Sequence, residues 1–266
     1  MIETQKQGAL EYLTAQGICV PHCFTTRLGG VSQGYLSSLN IGTSRGDAPE
    51  NVERNYAILG QALGFDPRKA VLSRQVHSDI VYPVTQKDAG AGLYAPALPS
   101  CDALVTNTPE LALVIFTADC TPILFHDPVT GAVGAAHAGW RGTVQGIAAR
   151  VVERMAELYG SRPQDIRAAI GPNIAACHFE TGDDVPQALL AAYGREMETF
   201  IRPQGEKYYV DLKAVNAWIL RQSAVEQVEI SQDCTVCRSD RFWSHRVTQG
   251  QRGSQGAVIV CKEVGQ

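Results

Sequence analysis

The sequence predicts an α+β fold, with mixed β-sheets carrying helices on their outer faces. Three observations lead there. Amphipathic helical patterns and short β-like runs intermix along the 266 residues without strict alternation, which disfavours a simple doubly wound sheet. Several runs are separated only by tight-turn residues, as at Asp127-Pro-Val-Thr-Gly131, and such spacing belongs to hairpins. The composition, 45% hydrophobic and 19% charged, is that of an ordinary globular protein. No fixed-period repeat or low-complexity tract interrupts it. The segment Asp88 to Pro99 lacks the polar character of a domain boundary, so a single domain over 1–266 with one long functional loop is expected.

In chain order, Val52, Tyr56, Leu59 and Leu63 share one face of a helix from Pro49 to Gly64, with Gly64 suited to the exit. Strands are expected at Ala70–Ser73, Ile80–Val84, Ala103–Thr106, Leu111–Ala118, Ile123–His126 and Ala132–His137. A second helix, about Gly146 to Tyr159, carries Val151, Val152, Met155, Leu158 and Tyr159 as its core stripe, followed by a strand at Ile166–Ile170. A short helix over Val185–Tyr193 precedes a third long one that Asp211 caps, with Leu212, Val215, Trp218 and Ile219 inward. Strands at Val228–Ile230 and Ala257–Cys261 complete the expectation.

A net charge of −4 gives no electrostatic footprint for nucleic acid or anionic membrane. The longest apolar stretch, Leu111 to Ala118, is too short to span a bilayer. The first residues lack the basic start and apolar core of a secretory signal, so a cytoplasmic protein is expected. There the eight cysteines stay reduced, and Cys19, Cys101 and Cys261, flanked by small or apolar residues, read as buried small hydrophobes. For Cys234-x-x-Cys237 a structural zinc would need a second pair, and none lies within usual spacing. A turn with two buried thiols is favoured over a redox pair.

The most informative pair is Cys120 and His137, seventeen residues apart. If the hairpin loop is Pro128 to Gly131, Asp127 pairs with Ala132, Pro122 faces His137, and Cys120 lies two residues further along the same side. Diagonal neighbours of this kind stand ~7–8 Å apart, a gap that a metal with bonds of roughly 2.0–2.3 Å would fill. Three readings compete: a buried thiol beside a core histidine, a cysteine nucleophile with His137 as its base, and a metal site completed by His77. The Gly/Pro-punctuated strand ends that carry the pair weigh against the first.

Thr25-Thr-Arg-Leu-Gly-Gly-Val-Ser32, Ser38-Leu-Asn40, Gln75-Val-His77, Ala118-Asp-Cys-Thr-Pro122, Ala135-Ala-His-Ala-Gly-Trp-Arg-Gly142, Ile170-Gly-Pro-Asn173 and the stretch from Cys234 to Arg246 occur in that order. Together they resemble the YfiH-type family, long labelled polyphenol oxidase or laccase-domain proteins, over nearly the whole chain. The resemblance implies a four-layer α/β/β/α sandwich and one zinc held by His77, Cys120 and His137, which would also be the catalytic residues. It implies phosphorolysis of adenosine, inosine, guanosine and methylthioadenosine, and adenosine deamination, with nucleoside and phosphate as the partners. After Ser-His-Arg246 many members continue with a second arginine, whereas this chain has Val247, so that role would pass to Arg252.

A three-ligand zinc lowers the pKa of its bound water to about 7, which suits attack at C6 of adenine. The His-x-Glu and Pro-Cys-x-x-Cys signature of base deaminases is absent. For the phosphate, Arg27 beside Gly29-Gly30 is one candidate, Arg141 is a second, and Asn40 joins them as a substrate-binding candidate. Asp119 is expected on the opposite face as a structural residue, His245 at the pocket border, and His22, His126 and His178 as surface or core residues. A copper-dependent polyphenol oxidoreductase is disfavoured because no His-x-His occurs and Met1, Met155 and Met197 lie far from the motifs. The divalent affinity order nevertheless admits copper at the zinc site. A cysteine hydrolase editing cell-wall precursors and a non-catalytic nucleoside-binding protein are the rivals from other classes.

Overall fold

The structure, a computed structural model, describes residues 1–263. The chain opens with three strands, β1 (Ile2–Gln7), β2 (Leu10–Ala15) and β3 (His22–Thr25), and then helix α1 (Pro49–Leu63). Six strands follow: β4 (Ala70–Leu72), β5 (Val81–Pro83), β6 (Ala103–Thr106), β7 (Ala112–Thr117), β8 (Thr121–His126) and β9 (Val133–Ala138). Helices α2 (Trp140–Val144) and α3 (Ile147–Tyr159) lead to β10 (Arg167–Ile170), β11 (Glu180–Thr181) and α4 (Asp184–Tyr193). The last part comprises β12 (Ile201–Gln204), β13 (Lys207–Val210), α5 (Leu212–Gln222), β14 (Gln227–Ile230), α6 (His245–Thr248) and β15 (Gln255–Val260).

Two six-stranded mixed sheets form, in the orders β1-β2-β3-β15-β7-β4 and β14-β10-β8-β9-β6-β5. Side-chain alternation decides how they stack. Leu113, Ile115, Ala257 and Ile259 of the first sheet meet Leu104, Leu124, Val133, Ala135 and Ala169 of the second in one buried cluster. The intervening residues Ala112, Val114, Val258 and Val260 face away and pack on Val52, Tyr56, Leu59 and Leu63 of α1. On the other side Val105, Ile123, Phe125, Ala136 and Ile170 pack on Ile147, Val151 and Met155 of α3 and Val215 and Ile219 of α5. The result is the four-layer α/β/β/α sandwich, and it explains why the central strands are apolar on both faces.

Asp127 N–H bonds to Ala132 O at 2.9 Å, and Pro122 is opposite His137, as the turn chemistry predicted. Gly64 ends α1 in the left-handed region at φ 68°, and Asp211 caps α5 by accepting from the Ala214 N–H. Among the described residues, six strands form where the sequence pattern predicts none, β1 to β3 and β11 to β13. The first, β1, is an edge strand with mostly exposed Glu3, Thr4, Lys6 and Gln7, so no apolar face marked it. Cys101 and Cys261 are buried, but Cys19 is exposed, because it sits in the turn before β3 while its neighbour Ile18 takes the core position. The Asp88–Pro99 loop covers the edge of β4 through Gly90 N–H to Ala70 O and Leu72 N–H to Ala91 O, each 3.0 Å. Its work is to satisfy a sheet edge, and it does not line the cavity described next.

Candidate metal centre and anion cavity

Cys120 precedes β8 and His137 lies near the end of β9, so the hairpin sets these two side by side. Asp119, at φ 84°, turns the chain sharply before Cys120. It is held there because its carboxylate accepts from Thr235 Oγ1 at 2.6 Å, Ser244 Oγ at 3.1 Å and the Arg246 N–H at 2.7 Å. These bonds give Asp119 the structural part expected of it, but a bend rather than a regular strand places it, and it lines the cavity beside Cys120 instead of taking the opposite face.

His77 arrives from another part of the chain. Gln75 anchors its segment by donating to Phe116 O at 2.8 Å and accepting from the Phe116 N–H at 2.6 Å. The backbone then wraps around a buried carboxylate. Asp102 accepts from the N–H groups of Val76, His77 and Ser78 at 3.0, 3.0 and 2.8 Å, and from Ser78 Oγ at 2.7 Å. This nest of successive N–H donors accommodates His77 at φ 63°. Asp102 also lies 2.8 Å from His137 Nδ1. Burial would raise its pKa, but the bonds from His137, Ser78 and Val76 hold it well below the usual carboxylate range.

The ligand atoms of His77, Cys120 and His137 all lie within 4.8 Å of one another, with Cys120 Sγ 3.9 Å from His77 Nε2. The two imidazoles meet edge to face at 4.8 Å. Burial pushes the Cys120 thiol up, but the charge and hydrogen bonds of His137, with those of His77, bring it down to about 6. His137 is conversely pushed up to about 9 against its burial by Cys120 and Asp102. A thiolate beside an imidazolium is what these groups hold without a cation. A divalent ion would displace the shared proton and keep the thiolate. The set fits zinc: one sulfur and two nitrogens converge, and Asp102 fixes the Nδ1–H tautomer that leaves His137 Nε2 free as a ligand. Gly139 makes the convergence possible, since a Cβ there would come within 2.8 Å of His77 Cδ2 and 3.4 Å of Cys120 Sγ.

Beside this group a cavity of about 480 Å3 is lined by His77, Asp119, Cys120, His245 and three arginines, Arg45, Arg246 and Arg252. Arg252 is 9% exposed. Its desolvation, with the like charge of Arg45, brings its pKa down to about 10. Nη1 donates to Gly253 O and Ser254 Oγ, while Nε is buried without a partner among the described residues. A desolvated guanidinium with an unused donor beside a second cation has the chemistry to accept an anion.

The substrate residues expected from sequence lie elsewhere. Arg27 donates to Ser37 O and Ser239 O and stacks on Trp243 at 3.9 Å, so its fork is already occupied by the fold. Asn40 is fully buried and bonds to Asp47, Gly42 and Ser254. Its bond from the Ser254 N–H holds the segment that follows Arg252. Arg141 is exposed, its guanidinium over the Trp140 ring at 4.3 Å. Of the predicted residues, His77, Cys120, His137 and His245 come together. Asp102, Gly139, Arg45 and Arg246 were missed; only Arg252, through the Val247 departure, left a trace in the sequence.

Met155 and Met197 are buried in the cluster beneath the outer helices, far from providing the axial thioether of a blue-copper centre. The expected pair of buried thiols at Cys234 and Cys237 needs correction as well. Cys237 is exposed, and Cys177 and His178, from a distant segment, join both cysteines in a second compact group of ligand atoms. Long-range folding supplies the second pair that spacing could not.

Residues 21–262 match the family described as multi-copper polyphenol oxidoreductase laccase. The chain is 40% identical over 250 residues to a protein of Deinococcus radiodurans named purine nucleoside phosphorylase, covering 94% of this chain and 92% of that one. It is 36% identical over 227 residues to the Escherichia coli protein named purine nucleoside phosphorylase YfiH, covering 85% and 88%. Among solved structures, the Bacillus licheniformis hypothetical protein YfiH superposes with a TM-score of 0.91 at 34% identity, covering 97% of this chain and 99% of that one.

Proposed function

Because the chain belongs to the multi-copper polyphenol oxidoreductase laccase family, the YfiH-type proteins, we propose that it is a zinc-dependent purine nucleoside phosphorylase with adenosine deaminase activity. Adenosine, inosine, guanosine and methylthioadenosine are its expected substrates. One observation carries this reading: the desolvated Arg252 and its neighbour Arg45 line one cavity with His77 and Cys120, the two ligand candidates grouped with His137. Relatives named purine nucleoside phosphorylase support it.

His77, Cys120 and His137 would hold the zinc, which supplies Lewis acidity toward the purine. Arg252 and Arg45 bind the phosphate dianion, and burial of Arg252 strengthens that attraction relative to water. Asp102 holds its proton partner on His137 Nδ1 and so keeps the ligand ring in one orientation. His245 at the border can hold or release a proton near the leaving base. Placing both groups on one cavity brings phosphate and nucleoside together. The eight free thiols suit work in a reducing compartment such as the cytoplasm. No helix among the described residues is long and apolar enough to cross a membrane.

Incubation with adenosine and phosphate tests the proposal. Adenine and ribose 1-phosphate are the expected products, with inosine as the mark of deamination; metal-replete protein that yields neither would end it. A second reading has its own observation, the Cys120 thiolate beside His137 and Asp102, which is the arrangement of a cysteine hydrolase. It requires metal-free active protein that iodoacetamide inactivates at Cys120. Stoichiometric zinc at that group with protected Cys120 decides against it.

A further inference from the structure

We propose a second, structural zinc site made by Cys177, His178, Cys234 and Cys237. These four side chains offer three sulfurs and one imidazole nitrogen, all within 4.8 Å of one another. The separations have the size of a tetrahedron's edges. Bonds of ~2.3 Å to sulfur and ~2.0–2.1 Å to nitrogen at tetrahedral angles place sulfur and nitrogen about 3.5 Å apart and two sulfurs about 3.8 Å apart. His178 Nδ1 lies 3.2 Å from Cys177 Sγ, 3.7 Å from Cys234 Sγ and 3.4 Å from Cys237 Sγ. Cys177 Sγ lies 3.7 Å from Cys237 Sγ. Four donors at these spacings leave room for one ion and no vacant corner, the closed shell of a structural site.

Two groups outside the cluster stand ready to meet negative charge on it. The Ala175 N–H points at Cys234 Sγ at 3.4 Å. The buried Lys213 ammonium, anchored on the carbonyls of Ser231 and Asp233, is close enough to feel the charges of Cys234 and Cys177. Zinc with three thiolates and one imidazole has a formal charge of −1, and Lys213 balances it. Binding forms three Zn–S bonds and one Zn–N bond, and the thiol protons leave to solvent; no oxidation is involved.

The site would staple two segments that build the walls of the anion cavity. Ile174 and Phe179 flank one ligand pair, and His245 and Arg246 follow the other. Arg246 already ties them by donating to His178 O and Glu180 O at 3.0 and 3.1 Å. Thr235, between Cys234 and Cys237, bonds to Asp119 beside Cys120. This inference does not depend on the His77 group, whose metal can be removed separately.

Two measurements on the full chain, purified under reducing conditions, test it. The variant His77→Ala/His137→Ala should retain one zinc per chain, and C177S/C237S should lose one equivalent relative to the unsubstituted protein. Should variants fold poorly, alkylation of the native unsubstituted protein decides. Cys177, Cys234 and Cys237 should resist iodoacetamide until a strong chelator is added, while the exposed Cys19 reacts throughout. Absence of zinc from H77A/H137A together with labelling of Cys177 and Cys237 at the rate of Cys19 overturns the proposal. So does protection that a chelator leaves unchanged and a reductant abolishes, since that is a disulfide.

Discussion

Replacing Asp102 by Asn should separate the anchoring of the metal ligands from their identity. The carboxylate accepts five bonds, from three backbone N–H groups, Ser78 Oγ and His137 Nδ1, at 2.7–3.0 Å. An amide of the same shape can accept through only one of its two heavy atoms. With its NH2 in place of Oδ1, the His77 N–H loses its acceptor and His137 must turn over to the tautomer protonated on Nε2. That proton occupies the position a metal needs. One orphaned buried donor costs about 1–3 kcal/mol, and breaking a buried charge pair about 3–5 kcal/mol. We therefore expect about 3–5 kcal/mol of lost stability in metal-free protein and a roughly 10- to 100-fold weaker zinc affinity. Urea denaturation of the metal-free protein reads the first and competition with a chromophoric chelator the second. Because the folded pKa of Asp102 is depressed, its contribution is fully present above the unfolded value of about 4 and is lost as pH falls below it. The gap between unsubstituted protein and D102N should close in acid. A variant within about 0.5 kcal/mol, which is ordinary surface-substitution scatter, and within threefold in zinc affinity would refute the role given to this carboxylate.

Other expectations follow from the same geometry. Arg252→Met removes a buried guanidinium whose Nε has no partner among the described residues, so stability should hold within about 1 kcal/mol. Phosphate KM should rise by roughly 10- to 100-fold from lost charge-assisted bonds, and thermal stabilisation by phosphate should vanish. An unchanged phosphate KM would remove Arg252 from the anion site. Gly139→Ala has acceptable backbone angles, φ −64° and ψ 166°, but its Cβ would collide with His77. Zinc affinity should fall about tenfold or more with the fold intact, and retention of full affinity would show that His77 moves freely. His126 is pushed down to about 4, chiefly by burial and by Arg167. The folded chain keeps it neutral while the unfolded chain protonates near 6.5. Stability is thus full above that value and declines as pH drops toward about 4, by roughly 2–3 kcal/mol. His126→Asn should flatten that segment of the stability profile, and an equal acid slope in the variant would assign the loss to other groups.

The sequence alone determined whatever rests on local chemistry. Turn residues at Asp127–Gly131 set a hairpin register, and register with strand alternation put Cys120 and His137 on one side. The apolar stripe from Val52 to Leu63 and the glycine after it determined α1. What the sequence left open depends on contacts between distant segments, where loop closure hides any periodic signal. The nest of Val76, His77 and Ser78 on Asp102 forms only when two separate segments meet. Cys177 and His178 approach Cys234 and Cys237 across 57 and 56 residues, 60 and 59 in the outer pairs, which no short motif spans. Arg27 and Arg252 look alike as residues, both guanidiniums in glycine-rich surroundings. Tertiary packing alone gave Arg27 two carbonyls and an indole as partners. It left Arg252 desolvated with a donor unused, and an arginine's role follows from which acceptors the fold leaves within its reach.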